Sequence, residues 1–243
     1  QPNWEEKIED FENMGLRQEH VHGIVSYGFK TPSDIQQLAI KPIAEKRDVI
    51  AQAQSGSGKT GAFGIGILNN LDLDEVSTQA LILSPTRELA TQTQQFMTTI
   101  GSKMRGIKIE LFIGGHQQNE DYQKAAQLPH VAVCTPGRAN DLIHSGNLRC
   151  DRLKMICLDE ADALLGDDFI DSIKSIFEYL PQDIQILLFT ATIPLSVFNT
   201  MISFMKDPVK ILVTEHLTLE GISEYYVNVG EKIHKLPTLL DIF

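Results

Sequence analysis

From residue 48 to residue 213 the chain alternates short, almost continuously apolar runs with segments of helical periodicity, and this limits its fold more than any other feature. The runs are "DVIAQ" (48–52), "QALILS" (79–84), "IKIELFI" (107–113), "HVAVC" (130–134), "LKMICLD" (153–159), "IQILLF" (184–189) and "VKILV" (209–213). Strands without polar alternation are strands covered on both faces, which points to a mostly parallel sheet. Between them "TGAFGIGILNNL", "TRELATQTQQFMTTIG", "NEDYQKAAQ", "RANDLIHSG", "FIDSIKSIFEYL" and "LSVFNTMISFM" read as helices. The expected fold is α/β, a doubly wound sheet flanked by helices. Ligands of such sheets bind beyond the carboxyl ends of the strands. Gly56–Thr60, Asp159–Asp162 and Thr190–Thr192 all fall there.

The flanks read differently. Residues 1–46 are expected to be helices around the loop "YGFKTPSDIQ", ahead of the sheet domain at 47–213. In 214–243, "HLTLEGISEYYVNVG" alternates like an exposed strand and "KLPTLLDIF" opens a helical run. At 243 residues and 42% hydrophobic content there is enough for one large domain, or one domain and a fragment. No stretch approaches the roughly 18 to 20 apolar residues of a membrane span, and no signal-peptide pattern opens the chain. Cys134, Cys150 and Cys157 form no C-x-x-C pair and leave an odd count; Cys134 and Cys157, in apolar runs, read as buried, reduced thiols, so a soluble intracellular protein is expected. The 32 acidic and 21 basic residues give a net charge of -11, which argues against a broad basic face for nucleic acid. It leaves room for a narrow surface of backbone amides, hydroxyls and a few arginines.

"AQAQSGSGKTG" (51–61) is a near match to the phosphate-binding loop, with Ala53 where the strict pattern begins with glycine. Such a turn from strand to helix aims successive N–H groups at one anion, and the helix dipole adds positive potential. Ser55, Gly56, Ser57 and Gly58 would cradle phosphate, Lys59 would reach the β- and γ-phosphates, and Thr60 would ligate Mg²⁺. In "CLDEAD" (157–162), Asp159 sits where a P-loop enzyme keeps its Mg²⁺-holding carboxylate, and Glu160 can orient or deprotonate the attacking water. An acidic helix start is the bland alternative; beside the phosphate loop, the catalytic assignment is preferred.

"AQSGSGKT" together with "DEAD" resembles the DEAD-box RNA helicases, and further signatures follow in that family's order. "GFKTPSDIQ" (28–36) resembles the Q motif, with its upstream aromatic at Phe11. "PTRELA" (85–90), the doublet Gly114-Gly115, "TPGR" (135–138) and "TAT" (190–192) resemble motifs Ia, GG, Ib and III. Within the family the wording is most similar to the initiation factor 4A branch. The resemblance implies an N-terminal RecA-like ATP-binding domain, with 214–243 as linker and start of a second RecA-like domain. It implies ATP and Mg²⁺ as ligands, and Phe29 and Gln36 as the residues that stack on adenine and read its edge. Outside this motif Phe29 would read as core and Gln36 as a helix-surface amide. Asp162, Thr190 and Thr192 would couple the ATP site to RNA. Pro85, Thr86, Arg87, Gly115, Thr135, Gly137 and Arg138 would contact single-stranded or duplex RNA independently of sequence, and backbone-led contact fits the acidic charge.

The implied function is ATP-dependent RNA unwinding or remodelling in the cytoplasm (alternatively the nucleus), with a scaffold protein of translation initiation or of another RNA–protein complex as partner and no membrane. Two other readings stand beside it: an ATP-gated RNA clamp, and a P-loop ATPase unrelated to RNA. The second leaves "PTRELA", the GG doublet and "TPGR" without meaning. Three departures from the family pattern are Thr190 for a serine, Cys134 for a glycine, and Gly166-Asp167-Asp168 where a basic residue and a glycine are usual. Arginines that complete the ATP site belong to the family's second domain, so these 243 residues are expected to bind adenine nucleotide weakly and to hydrolyse ATP near background.

Overall fold

The computed structural model describes residues 2–115, 117–192, 202–213, 227–230 and 234–242. Each apolar run contains one strand: β1 (Val49–Gln52), β2 (Ala80–Leu83), β3 (Ile109–Phe112), β4 (Val131–Cys134), β5 (Met155–Asp159), β6 (Gln185–Thr190) and β7 (Val209–Leu212). They form one sheet in the order β3-β4-β2-β5-β6-β1-β7, and every pairing is parallel. Alternate strand residues feed opposite cores. Val49, Ala51, Ala80, Ile82, Val131 and Val133 face one, and Ile50, Leu81, Leu83, Ala132 and Cys134 the other.

Four helices cover the first face: α1 (Gln18–Tyr27), α2 (Asp34–Ala44), α3 (Lys59–Asn70) and α4 (Arg87–Ile100). The second carries α5 (Gln118–Ala125), α6 (Pro136–His144), α7 (Ala161–Leu164) and α8 (Ile170–Phe177). α6 begins two residues before the expected segment because Pro136, which needs no N–H partner, is suited to a first helical turn. Thr86 caps α4, its hydroxyl accepting from the Leu89 N–H at 3.2 Å. Arg17 closes the other end of α3, one guanidinium nitrogen donating to the carbonyls of Leu68, Asn69 and Leu71.

Contacts divide the chain into residues 1–213 and residues 214–243. In the second unit α9 (Lys235–Ile242) leaves Leu236, Leu239 and Leu240 exposed. The helix expected over 195–205 and the exposed strand over 216–230 fall largely on 193–201 and 214–226, outside the described residues. Among the described residues no helix is long and apolar enough to cross a membrane.

Candidate nucleotide and RNA site

The segment between β1 and α3 is anchored to the sheet, with the Ala53 N–H donating to the Thr190 carbonyl at 3.1 Å. Its left-handed residues are Gly56 (φ 81°) and Gly58 (φ 97°), not Ala53. Alanine is therefore tolerated where the strict pattern has glycine, because that position needs no positive φ. Ser57 folds the loop on itself, its hydroxyl donating to the Gln54 carbonyl at 2.7 Å. Lys59, almost fully buried, bends over the loop and donates to the carbonyls of Ala53 (2.7 Å) and Gln54 (2.9 Å). Burial pushes its pKa down, against the pull of Asp159, Glu160 and Asp162. An ammonium with three donors and two carbonyl partners keeps one proton for an anion.

α2 presses on this loop. The Ser33 hydroxyl donates to the Ser57 carbonyl at 2.7 Å, and Gln36 Nε2 donates to the Gly58 carbonyl at 3.1 Å. Gln36 Oε1 accepts from the Ser33 N–H at 3.0 Å, half of a capping box. A Cβ at Gly61 would stand 2.3 Å from Gln36 Nε2, so a larger residue there would push the Gln36 amide out of this position. Gln36 is thus a brace of the phosphate loop as well as the expected base reader; an amide has a second N–H and a second lone pair left for adenine. Phe29, half-buried, sits among Phe11 (6.1 Å), Tyr27 (5.0 Å) and Phe96 (6.1 Å). Tyr27 and Phe96 were not apparent from the sequence because they come from α1 and α4.

Asp159 ends β5 and is 5% exposed. Burial, then the Glu160 charge, pushes its pKa up to about 6, with Lys59 opposing. Glu160 follows in the left-handed region (φ 53°, ψ 54°), a costly conformation for a residue with a Cβ. Asp162 accepts from the Thr192 hydroxyl at 2.7 Å, and Thr190 donates to the Thr192 carbonyl at 2.5 Å. Burial pushes the Asp162 pKa up, but hydrogen bonds, from the Thr192 hydroxyl first and also from the Ala163 N–H, outweigh it and hold the carboxyl below its usual range. The threonine at 190 keeps the hydroxyl that a serine would offer.

Among the described residues no group of three or more His, Cys, Asp or Glu forms a metal cage. Thr60 and Asp159 are oxygen donors of the kind Mg²⁺ takes, and the Asp159 carboxyl is buried at the end of β5.

The expected RNA residues lie at the carboxyl ends of three adjacent strands: Pro85–Arg87 after β2, Gly115 after β3, and Thr135–Arg138 after β4. Thr86, Arg87, Gly115 and Gly137 are exposed. Arg87 lies against Gly115, where a Cβ would stand 2.6 Å from Nη1. Arg138 departs from the expectation. Its guanidinium turns inward and pairs with Asp121 of α5 at 3.3 Å, with side-chain exposures of 8% and 0%. A buried carboxylate demands a cation more strongly than the solvent edge does, so Arg138 braces α6 to α5 instead of facing outward. Cys134 is packing, with burial pushing its thiol pKa well up. Asp167 and Asp168 are exposed.

The sequence profile of the DEAD/DEAH box helicases matches residues 33–201. The chain is 46% identical over 242 residues to a protein named ATP-dependent RNA helicase eIF4A from Mycosarcoma maydis, covering 99% of this chain and 59% of that protein. It is 47% identical over 241 residues to eukaryotic initiation factor 4A from Drosophila melanogaster, covering 99% and 60%. Among solved structures, a DEAD box protein from the hyperthermophile Methanococcus jannaschii superposes with a TM-score of 0.81 at 30% identity, covering 97% of this chain and 63% of that one. Dbp5 from S. cerevisiae, bound to RNA and ADP BeF3, gives 0.77 at 31% identity, covering 85% and 52%. The chain spans about 60% of the length of the curated relatives it matches.

Proposed function

Because this chain belongs to the DEAD/DEAH box helicase family, we propose that its carboxyl-edge site binds ATP with Mg²⁺ beside a row that contacts RNA. The whole protein then hydrolyses ATP under RNA stimulation and unwinds or remodels local duplexes. The observation that carries this reading is the convergence of Gln36, Lys59 and the Asp162–Thr192 pair on one end of the sheet. Lys59 presents its remaining proton to the phosphates, and the amides of Gly56–Thr60 cradle them. Phe29 offers a ring face to adenine and Gln36 its free N–H and lone pair. Glu160, held beside Asp159, accepts a proton from the attacking water. Thr60 and Asp159 would hold Mg²⁺, which neutralises and orients phosphate oxygens when bound. Asp162 connects this site through Thr192 to the end of β6, the link through which bound RNA is sensed.

In the whole protein a second RecA-like domain, for which 214–243 would be the linker and start, would supply further RNA contacts and the arginines that stabilise transferring phosphate. The similarity to initiation factor 4A proteins supports a cytoplasmic role in translation initiation with a scaffold protein as partner. Phosphate release, with and without single-stranded RNA, tests this on the 243-residue chain and on a two-domain version. The fragment should stay near background, while RNA should stimulate the two-domain version. RNA-stimulated turnover by the fragment alone would overturn the two-domain reading; a two-domain protein indifferent to RNA would overturn the RNA reading.

A further inference from the structure

Residues 3–10 run from the outer edge of the sheet to the outer face of α2. Asn3 is fastened along the edge of β7 by its backbone N–H and by both ends of its side-chain amide. Its N–H donates to the Lys210 carbonyl at 3.2 Å, its Oδ1 accepts from the Lys210 N–H at 2.6 Å, and its Nδ2 donates to the Pro208 carbonyl at 3.1 Å. This occupies edge groups of β7 that would otherwise face solvent unpaired. Trp4, partly buried, packs on the core with the Arg47 guanidinium 5.7 Å from its ring centre. The segment then meets α2 at three places. Glu6 pairs with Lys41 at 2.5 Å, Lys7 with Asp34 at 3.2 Å, and the Ile8 N–H donates to the Gln37 carbonyl at 3.2 Å. Asp34, Gln37 and Lys41 lie on one face of the helix. Phe11 follows, buried and 6.1 Å from Phe29.

α2 has reason to need such fastening. Pro42 lies inside it and removes one backbone donor, and the helix presents Ser33 and Gln36 to the phosphate loop. A helix free to shift along its axis would carry both side chains away from the loop and from the base. We propose that residues 3–8 are a strap that fixes α2 against the sheet edge and thereby sets the adenine selectivity of the nucleotide site. Asn3, Trp4, Glu6 and Lys41 act as positioning residues, through α2 and the sheet edge. The inference rests on the reading of Phe29 and Gln36 as the base site.

The test compares ADP and GDP affinity by titration calorimetry of the 243-residue chain, with thermal unfolding measured without nucleotide. Asn3→Ala combined with Trp4→Ala should reduce the ADP-over-GDP preference at least about threefold. The exposed change Glu6→Lys, which leaves the core intact, should reduce it by about twofold, and adding Lys41→Glu should restore it. A strap that served only to cover the edge would lower the unfolding temperature and leave the ratio unmoved, which overturns the inference. A parent chain with no ADP preference would overturn the base-site reading and the inference together; a discriminating parent whose ratio survives release of the strap overturns only the inference.

Discussion

The two ends of the central sheet use polar side chains in opposite ways. At the amino end they are committed to the protein's own backbone. Asp48 accepts from the N–H groups of Ile186 (2.8 Å) and Lys206 (2.7 Å), and Gln185 donates to the carbonyls of Ile43 (3.1 Å) and Arg47 (2.7 Å). At the carboxyl end, Lys59, Asp159 and Glu160 are held by burial and backbone conformation with capacity left over. There Lys59 has its pKa pushed down, Asp159 has its pKa pushed up, and Glu160 is left-handed. The amino end spends its polar groups on the protein's own backbone, although burial also pushes the Asp48 pKa up, and the carboxyl end keeps capacity that a ligand can take up. Changes at the amino end should therefore alter unfolding and spare binding, and changes at the carboxyl end should do the reverse.

Arg138 is the sharpest challenge to that division, since it stands at the carboxyl end yet is committed inward. Arg138→Ala should destabilise the chain by about 3–5 kcal/mol in chemical denaturation, because the buried Asp121 carboxylate loses the guanidinium paired with it. A loss near zero would show that the pair does not brace α6 to α5. His20 tests burial at neither end. It is wholly buried, and burial, with the nearby Arg17 charge, pushes its pKa down to about 4 from 6.5. The stability of holding it neutral is complete above pH 6.5 and is lost as the pH falls towards and through 4, by about 3 kcal/mol in total. His20→Gln should flatten that acid limb in denaturation curves taken across this range.

Asp48→Ala should cost about 2–3 kcal/mol by stranding two backbone N–H groups, with ADP affinity unchanged. A matching loss of affinity would mean that the two ends are not separable. Gln36→Ala should weaken ADP about tenfold and GDP by less, the GDP loss arising from the brace on Gly58. Unaltered GDP binding would confine Gln36 to the base.

Local spacing carried most of what the sequence revealed. The seven strands were legible because both of their faces are apolar, and the phosphate loop because its parts are adjacent in sequence. Its exception, Ala53, became intelligible only when the positive φ values were seen to fall at Gly56 and Gly58. The direction of Arg138 was not legible, since it depends on Asp121 from a separate helix and no periodicity links the two. The ring cluster of Tyr27, Phe29 and Phe96 joins separate elements, and Asn3 meets its partner across nearly the whole first unit. Long-range pairing of single side chains leaves no pattern in one sequence.

The most direct test of the division between the two ends is calorimetric titration of ADP in Mg²⁺ into the parent chain and into Lys59→Ala, with thermal unfolding of both without nucleotide. Removing a buried ammonium that two carbonyls only partly satisfy should lower ADP affinity about a hundredfold while the unfolding temperature holds or rises. Equal ADP affinity in the two proteins, or a variant that unfolds much earlier than its parent, would contradict it.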